Sequence, residues 1–149
     1  MNEFDKLTSE YESKIKERNQ SRAEEHERKK LVYETARAKI NNVVDPVARQ
    51  CVEEIRSASA NKIVCSVWSS ENEGGYGSGI EIQLHSELNK EKFDSINFLV
   101  RDGELQVVKT IRDSLSTMPA STDDLTKESV RGWIVAFYKE FLDSRMGED

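Results

Sequence analysis

Apolar residues recur along this chain with two different periods, and each period predicts a different kind of element. The broadest stripe lies near the C-terminus. In Val130–Leu142 (VRGWIVAFYKEFL), Val130, Trp133, Ile134, Phe137, Phe141 and Leu142 fall three and four residues apart. That spacing lines one face of an α-helix, and so many large side chains need a surface to cover them.

The first forty residues carry the same period much more thinly. From residue 3 to about 40 there is no Gly or Pro, and Glu, Lys, Arg, Gln and Ala dominate, which predicts helix. Phe4, Leu7, Tyr11 and Ile15 form a narrow stripe. Lys16–Lys30 (KERNQSRAEEHERKK) then holds a single apolar residue, Ala23, so no coiled-coil seam continues through it. Opposite charges four apart, such as Glu24 with Arg28 and Glu25 with Lys29, suit a solvated helix. Beyond Leu31 an apolar face returns with Val32, Ala36, Ile40, Val43 and Val44. Asp45-Pro46 then reads as an N-cap and first helical residue. The sequence therefore predicts a break or kink near residues 41–45, leaving a hairpin and a kinked single helix open. A helix from Pro46 to about Ala58 would bury Val47, Cys51, Val52 and Ile55.

After residue 61 the period shortens to two. Lys62–Trp68 is rich in β-branched residues, and Ser78–Ser86 alternates Ile80, Ile82 and Leu84 with Glu81, Gln83 and His85. Residues 87–94 read as a polar connection. Ser95–Arg101 and Glu104–Thr110 flank Asp102-Gly103, a two-residue hairpin turn. That turn sets Arg101 opposite Glu104, Val100 opposite Leu105 and Phe98 opposite Val107, with Ile96, Phe98, Val100, Leu105 and Val107 on one face. Ile111–Ser121 contains turn formers and Pro119, and is expected to be a surface loop. Thr122, Asp123 and Asp124 place acids and a cap before the last helix, Gly132 invites a close approach to the sheet, and Arg145 and Gly147 mark the end.

The expectation is an α+β fold: a long N-terminal helix broken or kinked near residues 41–45, a four-stranded antiparallel β-meander, and a C-terminal amphipathic helix packed on the sheet. Residues 1–44 would be an extended charged arm, and 45–149 a small α+β domain of helix, four strands and helix.

Composition changes this picture in one respect. Of 149 residues, 36% are hydrophobic and 34% charged, with a net charge of −6. Up to Lys62 there are 13 Lys/Arg and 12 Asp/Glu; beyond it there are 9 and 16. Eight of the eleven aromatics also follow Lys62. The later part thus carries the acidity, which argues against phosphate-driven binding of nucleic acid. The basic cluster Arg28-Lys29-Lys30 is interleaved with Glu24, Glu25 and Glu27, which cancel most of its field. No apolar run is long enough for a membrane span, and MNEFDKLTSEYE lacks the apolar centre of a secretory signal. A cytoplasmic protein with Cys51 and Cys65 as reduced, buried thiols is expected.

The chemical constellations are sparse. Gly74, Gly75, Gly77 and Gly79 around Tyr76 precede a strand and not a helix, and Glu71 and Glu73 repel anions, so a phosphate cradle is disfavoured. A mobile hairpin loop with Tyr76 as a contact residue is the plainer reading. His26 and His85 are the only histidines. His85 is expected near Lys62 or Ile63, diagonal to Cys65, without the third group that a Cys–His nucleophile needs. Glu81 and Gln83 lack the further acid and lysine of a nuclease-type strand. No catalytic residue, cofactor, metal, membrane contact or small-molecule substrate is expected. The sequence points to a non-enzymatic interaction module, a homodimer or the partner of another protein, bound through Phe4, Leu7, Tyr11, Ile15 and Tyr76. The alternative is a small acidic inhibitor or chaperone-type protein whose acidic α/β surface engages a client or a nucleic-acid-binding protein.

Overall fold

The computed structural model describes residues 2–60, 62–72, 77–86, 92–101 and 104–145. Helix α1 (Glu3–Lys39) passes through one π-helical turn (Ile40–Val44) into α2 (Asp45–Ala58). Strands β1 (Ile63–Asn72), β2 (Gly77–Ser86), β3 (Asp94–Arg101), β4 (Glu104–Ile111) and β5 (Ser114–Ala120) follow. After a 3-10 turn (Thr122–Asp124), α3 (Lys127–Arg145) closes the fold. The strands form one antiparallel meander in the order β1-β2-β3-β4-β5.

The expected break near residues 41–45 is a widened turn, and one rod runs from residue 3 to residue 58. The backbone N–H of Asp45 donates to the carbonyl of Ile40, five residues back. Pro46 explains the widening. It has no N–H to give Asn42, and its ring would crowd the Asn42 carbonyl in a tight α-turn. The turn also aligns the buried face. Ala36, Ile40, Val44, Ala48 and Val52 are all buried. In an unbroken α-helix, these four steps of four residues would carry the stripe about 160° around the rod. The extra residue in one turn takes up part of that drift.

The meander has five strands, not four. Ile111–Ser121, expected as loop, contains β5. Arg112 and Asp113 have φ of 48° and 66°, so they form a two-residue turn with both residues left-handed, the geometry that matches strand twist. Ile111 pairs with Ser114 across it. The usual signal, Asn-Gly or Asp-Gly, is absent there. Pro119 is tolerated because β5 is an edge strand, where a missing N–H interrupts no second ladder.

One sheet face is covered by helix. Ile80, Ile82, Leu84, Ile96, Phe98, Val100, Leu105 and Val107 are buried there, as alternation requires. The register Arg101–Glu104, Val100–Leu105 and Phe98–Val107 is as expected, although the Asp102-Gly103 turn itself lies outside the described residues. The last turns of α1 approach β2, β3 and β4, while α2 lies over β1 and β2. Helix α3 fills the space beside α2, burying Val130, Ile134, Phe137 and Phe141. Trp133 packs against Phe98 with ring centroids 6.0 Å apart, whereas Leu142 is left 38% exposed at the margin.

Two expectations for α3 are corrected. A Cβ at Gly132 would meet nothing within 4 Å, so this glycine permits no close approach to the sheet. The acids at 123 and 124 belong to the separate 3-10 turn, where Ser121 and Asp124 cap each other; Thr126 Oγ1 caps α3 through the N–H of Ser129. Gly147 lies outside the described residues.

Candidate interaction surface

Residues 2–32 are exposed throughout, and burial begins only at Tyr33. The helix ahead of the body is therefore about 45 Å long. Its start is fixed by Asn2, whose Oδ1 accepts from the Asp5 N–H at 2.8 Å, and Glu3 and Asp5 lie in the dipole-favoured first turn. Along its polar middle, Glu25 and Lys29 approach to 3.7 Å, and Gln20 donates to Glu24 at 3.3 Å. Such exposed pairs support the helix by a few tenths of a kcal/mol each.

All four arm residues singled out from the sequence lie in the open: Phe4 is 78% exposed, Leu7 62%, Tyr11 65% and Ile15 39%. At about 100° per residue they share an arc of about 80°. The buried Tyr33, Ala36 and Ile40 fall in that same arc. The apolar stripe thus lies on the side of the rod that carries the body. Tyr76 lies outside the described residues. Sequence reasoning gave no weight to a shallow groove near the arm's root, of about 600 Å³, lined by Leu31, Thr35, Ala38, Asn42 and Val43 among others. Leu31 and Val32 are exposed beside it.

The remaining chemical candidates are held apart or already engaged. His85 pairs with Val64, one residue further along than expected, so its ring shares the outer face with Val64. Cys65 pairs with Leu84 and is buried on the inner face. Neighbouring strand residues point to opposite faces, so His85 and Cys65 cannot act as a couple. Gln83 Nε2 donates to Glu81 Oε1, which ties the two polar residues of β2 to each other. Gly79 is needed for packing: a Cβ there would come 3.0 Å from Asn97 Oδ1 and 3.2 Å from the Cβ of Leu99. Among the described residues no three His, Cys, Asp or Glu side chains are grouped to hold a metal, and no helix is long and apolar enough to cross a membrane.

Both cysteines are free and buried. Burial pushes the Cys65 thiol up to about 12 and also raises that of Cys51. Arg131 lies 3.9 Å from the Cys51 sulfur and 2.6 Å from Glu54, so it fastens α3 to α2 across the thiol. A smaller pocket, lined by Lys92, Phe93, Asp94, Arg112, Asp113 and Arg145, is a structural tie: Asp94 accepts there from the Arg112 N–H at 3.0 Å. The arm carries an apolar stripe that the fold leaves exposed, and the strands leave Val64, Trp68, Leu115 and Met118 exposed as well. Comparison with protein-family models, with curated proteins and with solved structures finds no match, so the reading of the arm rests on its own residues.

Proposed function

We propose that this protein is a non-enzymatic interaction module whose N-terminal helix binds a second copy or another protein. The observation that supports it is the arm itself: a helix about 45 Å long, exposed on every side, with Phe4, Leu7, Tyr11 and Ile15 on one stripe. Isolated helices are marginal in water, and much of their stability in proteins comes from packing an apolar face. Exposed apolar stripes of this kind mark contact surfaces.

The test compares the full chain with the double variant Leu7→Glu, Tyr11→Glu. Both positions are exposed, so the body keeps its fold and its melting temperature. The unaltered chain self-associates in sedimentation, or captures a partner by a contact that survives added salt, and the variant loses that contact. Identical behaviour of the two chains in both assays would refute the proposal. Capture that instead disappears with salt and ignores the substitutions favours the acidic face.

A further inference from the structure

We propose that the free edge of β1 pairs with the β1 edge of a second copy, antiparallel about a two-fold axis beside Val67, so that two five-stranded sheets become one. This contact is separate from the arm. The alternation of ladder bonds identifies the groups that are free. Ile111 and Ser114 close a two-residue turn and so exchange both bonds. Carried through the register of each strand pair, that alternation commits Val64, Ser66, Trp68 and Ser70 to β2. Ile63, Cys65, Val67, Ser69 and Glu71 therefore turn their N–H and C=O groups outward. The guanidinium of Arg56 agrees: its Nη2 donates to the Cys65 carbonyl at 2.8 Å.

The two edges of the sheet differ. On β5, seven residues long, the same alternation turns Leu115, Thr117 and Pro119 outward, and Pro119 has no N–H to offer. On β1 the register runs unbroken for ten residues, from Ile63 to Asn72. It holds no Pro, and no charged residue lies between Ile63 and Ser70. Short length, proline, bulges and charge are the usual means of blunting an edge, and of these β1 has none. Among the described residues, β1 meets β2 along its other side and α2 across its inner face.

A row of peptide N–H and C=O groups is matched by another extended backbone, and a second copy supplies one without opposing any charge. An axis beside Val67 overlaps all five outward residues: Ile63 meets the partner's Glu71, Cys65 the partner's Ser69, and Val67 the partner's Val67. Each pair exchanges two bonds, about ten in all. The same axis sets Trp68 diagonal to the partner's Trp68 on the outer face, within reach of an aromatic ring. Trp68 is 59% exposed, and its Nε1 already donates to Ser66 Oγ at 2.9 Å, so covering the ring strands no donor. Val67 meets its own copy on the inner face. Arg56 has to turn aside from Cys65, where the N–H of the partner's Ser69 takes its place. A single strand pair makes a small contact, so the dimer dissociates on dilution.

The experiment uses the full chain carrying Leu7→Glu and Tyr11→Glu, which removes any association through the arm. Sedimentation from about 1 μM to about 1 mM measures pairing, and amide hydrogen exchange at both ends of that range locates it. The expected dimer slows exchange at Val67 and Ser69 as concentration rises, whereas Ser66 and Trp68 are protected throughout. Adding Ser69→Pro removes an outward N–H, leaves the β1–β2 ladder intact at an exposed position, and weakens the dimer by about tenfold or more. Adding Arg56→Ala instead frees the Cys65 carbonyl and tightens the dimer severalfold. A chain that stays monomeric at about 1 mM, with Val67 and Ser69 exchanging freely, overturns the proposal. So does a dimer that Ser69→Pro leaves unchanged. Either result leaves the role of the arm standing.

Discussion

The carboxylate of Asp94 lies 3.4 Å from the guanidinium of Arg145, joining the first residue of β3 to the last residue of α3. Asp94 is 1% exposed and also accepts from the backbone of Arg112 in the β4–β5 turn. One acid thus gathers three parts of the chain. The Arg145 guanidinium lies 5.1 Å from the centre of the Phe141 ring, which holds it at that place.

Replacing Asp94 by Ala removes the acceptor of the part-buried Arg112 N–H bond and takes a counter-charge from Arg145. The expected loss is about 2–4 kcal/mol, read as a lower urea midpoint with an unchanged m-value. Asp94→Asn keeps one acceptor and loses less.

Gly132 lies in the interior of α3 with open space where a Cβ would go. Gly132→Ala is expected to stabilise the chain by about 0.5–1 kcal/mol, because the unfolded chain loses freedom and the folded one gains no clash. Thermal unfolding, with a rise in melting temperature, checks it.

In the β4–β5 turn two non-glycine residues hold positive φ. Replacing Arg112→Asn with Asp113→Gly supplies the residues this turn favours and keeps the N–H that Asp94 accepts from. Stability is expected to rise by about 1 kcal/mol relative to the present turn. A fall would mean that the Arg112 side chain contributes more than its backbone strain costs.

The buried Cys65 gives the protein an alkaline limit. Its thiol titrates at about 12 in the fold and near 8.5 in an unfolded chain. The folded state therefore binds the proton more tightly. This stability is complete below the unfolded pKa and is lost as pH rises towards the folded one, by at most about 1.4 kcal/mol per pH unit. Denaturation midpoints measured between pH 8 and pH 10 should fall less steeply for Cys65→Ala than for the unaltered chain. Thiol reagents should reach Cys51 and Cys65 only as fast as the fold opens.

Much of this architecture was legible where pattern and packing agree. The stripe of α3, the alternation of β2 and the register of β3 with β4 follow from apolar spacing, because a one-residue slip would turn every core side chain to solvent. The fifth strand was hidden because Arg112-Asp113 turns without glycine and because Pro119 reads as a breaker unless the strand is known to be an edge. Asp94 gave no signal, since acids are almost always exposed and only the meeting of β3, the β4–β5 turn and α3 encloses this one. On the arm, Phe4, Leu7, Tyr11 and Ile15 could be named in advance because they interrupt a run of charge. The groove at Leu31 and Val43 could not, because its shape depends on the widened turn.

That turn reaches further than its five residues. A helix is a screw, so each residue added or removed at Asn41 or Asn42 rotates everything ahead of it by about 100°. The bearing of Phe4 relative to the sheet is therefore decided some sixty ångströms away, at the widened turn beside Pro46. A chain one residue shorter there would have to unseat Tyr33 and Ala36 or aim its tip at empty water. Length between the two ends of this rod is consequently under a tighter constraint than the identity of the solvated residues along it.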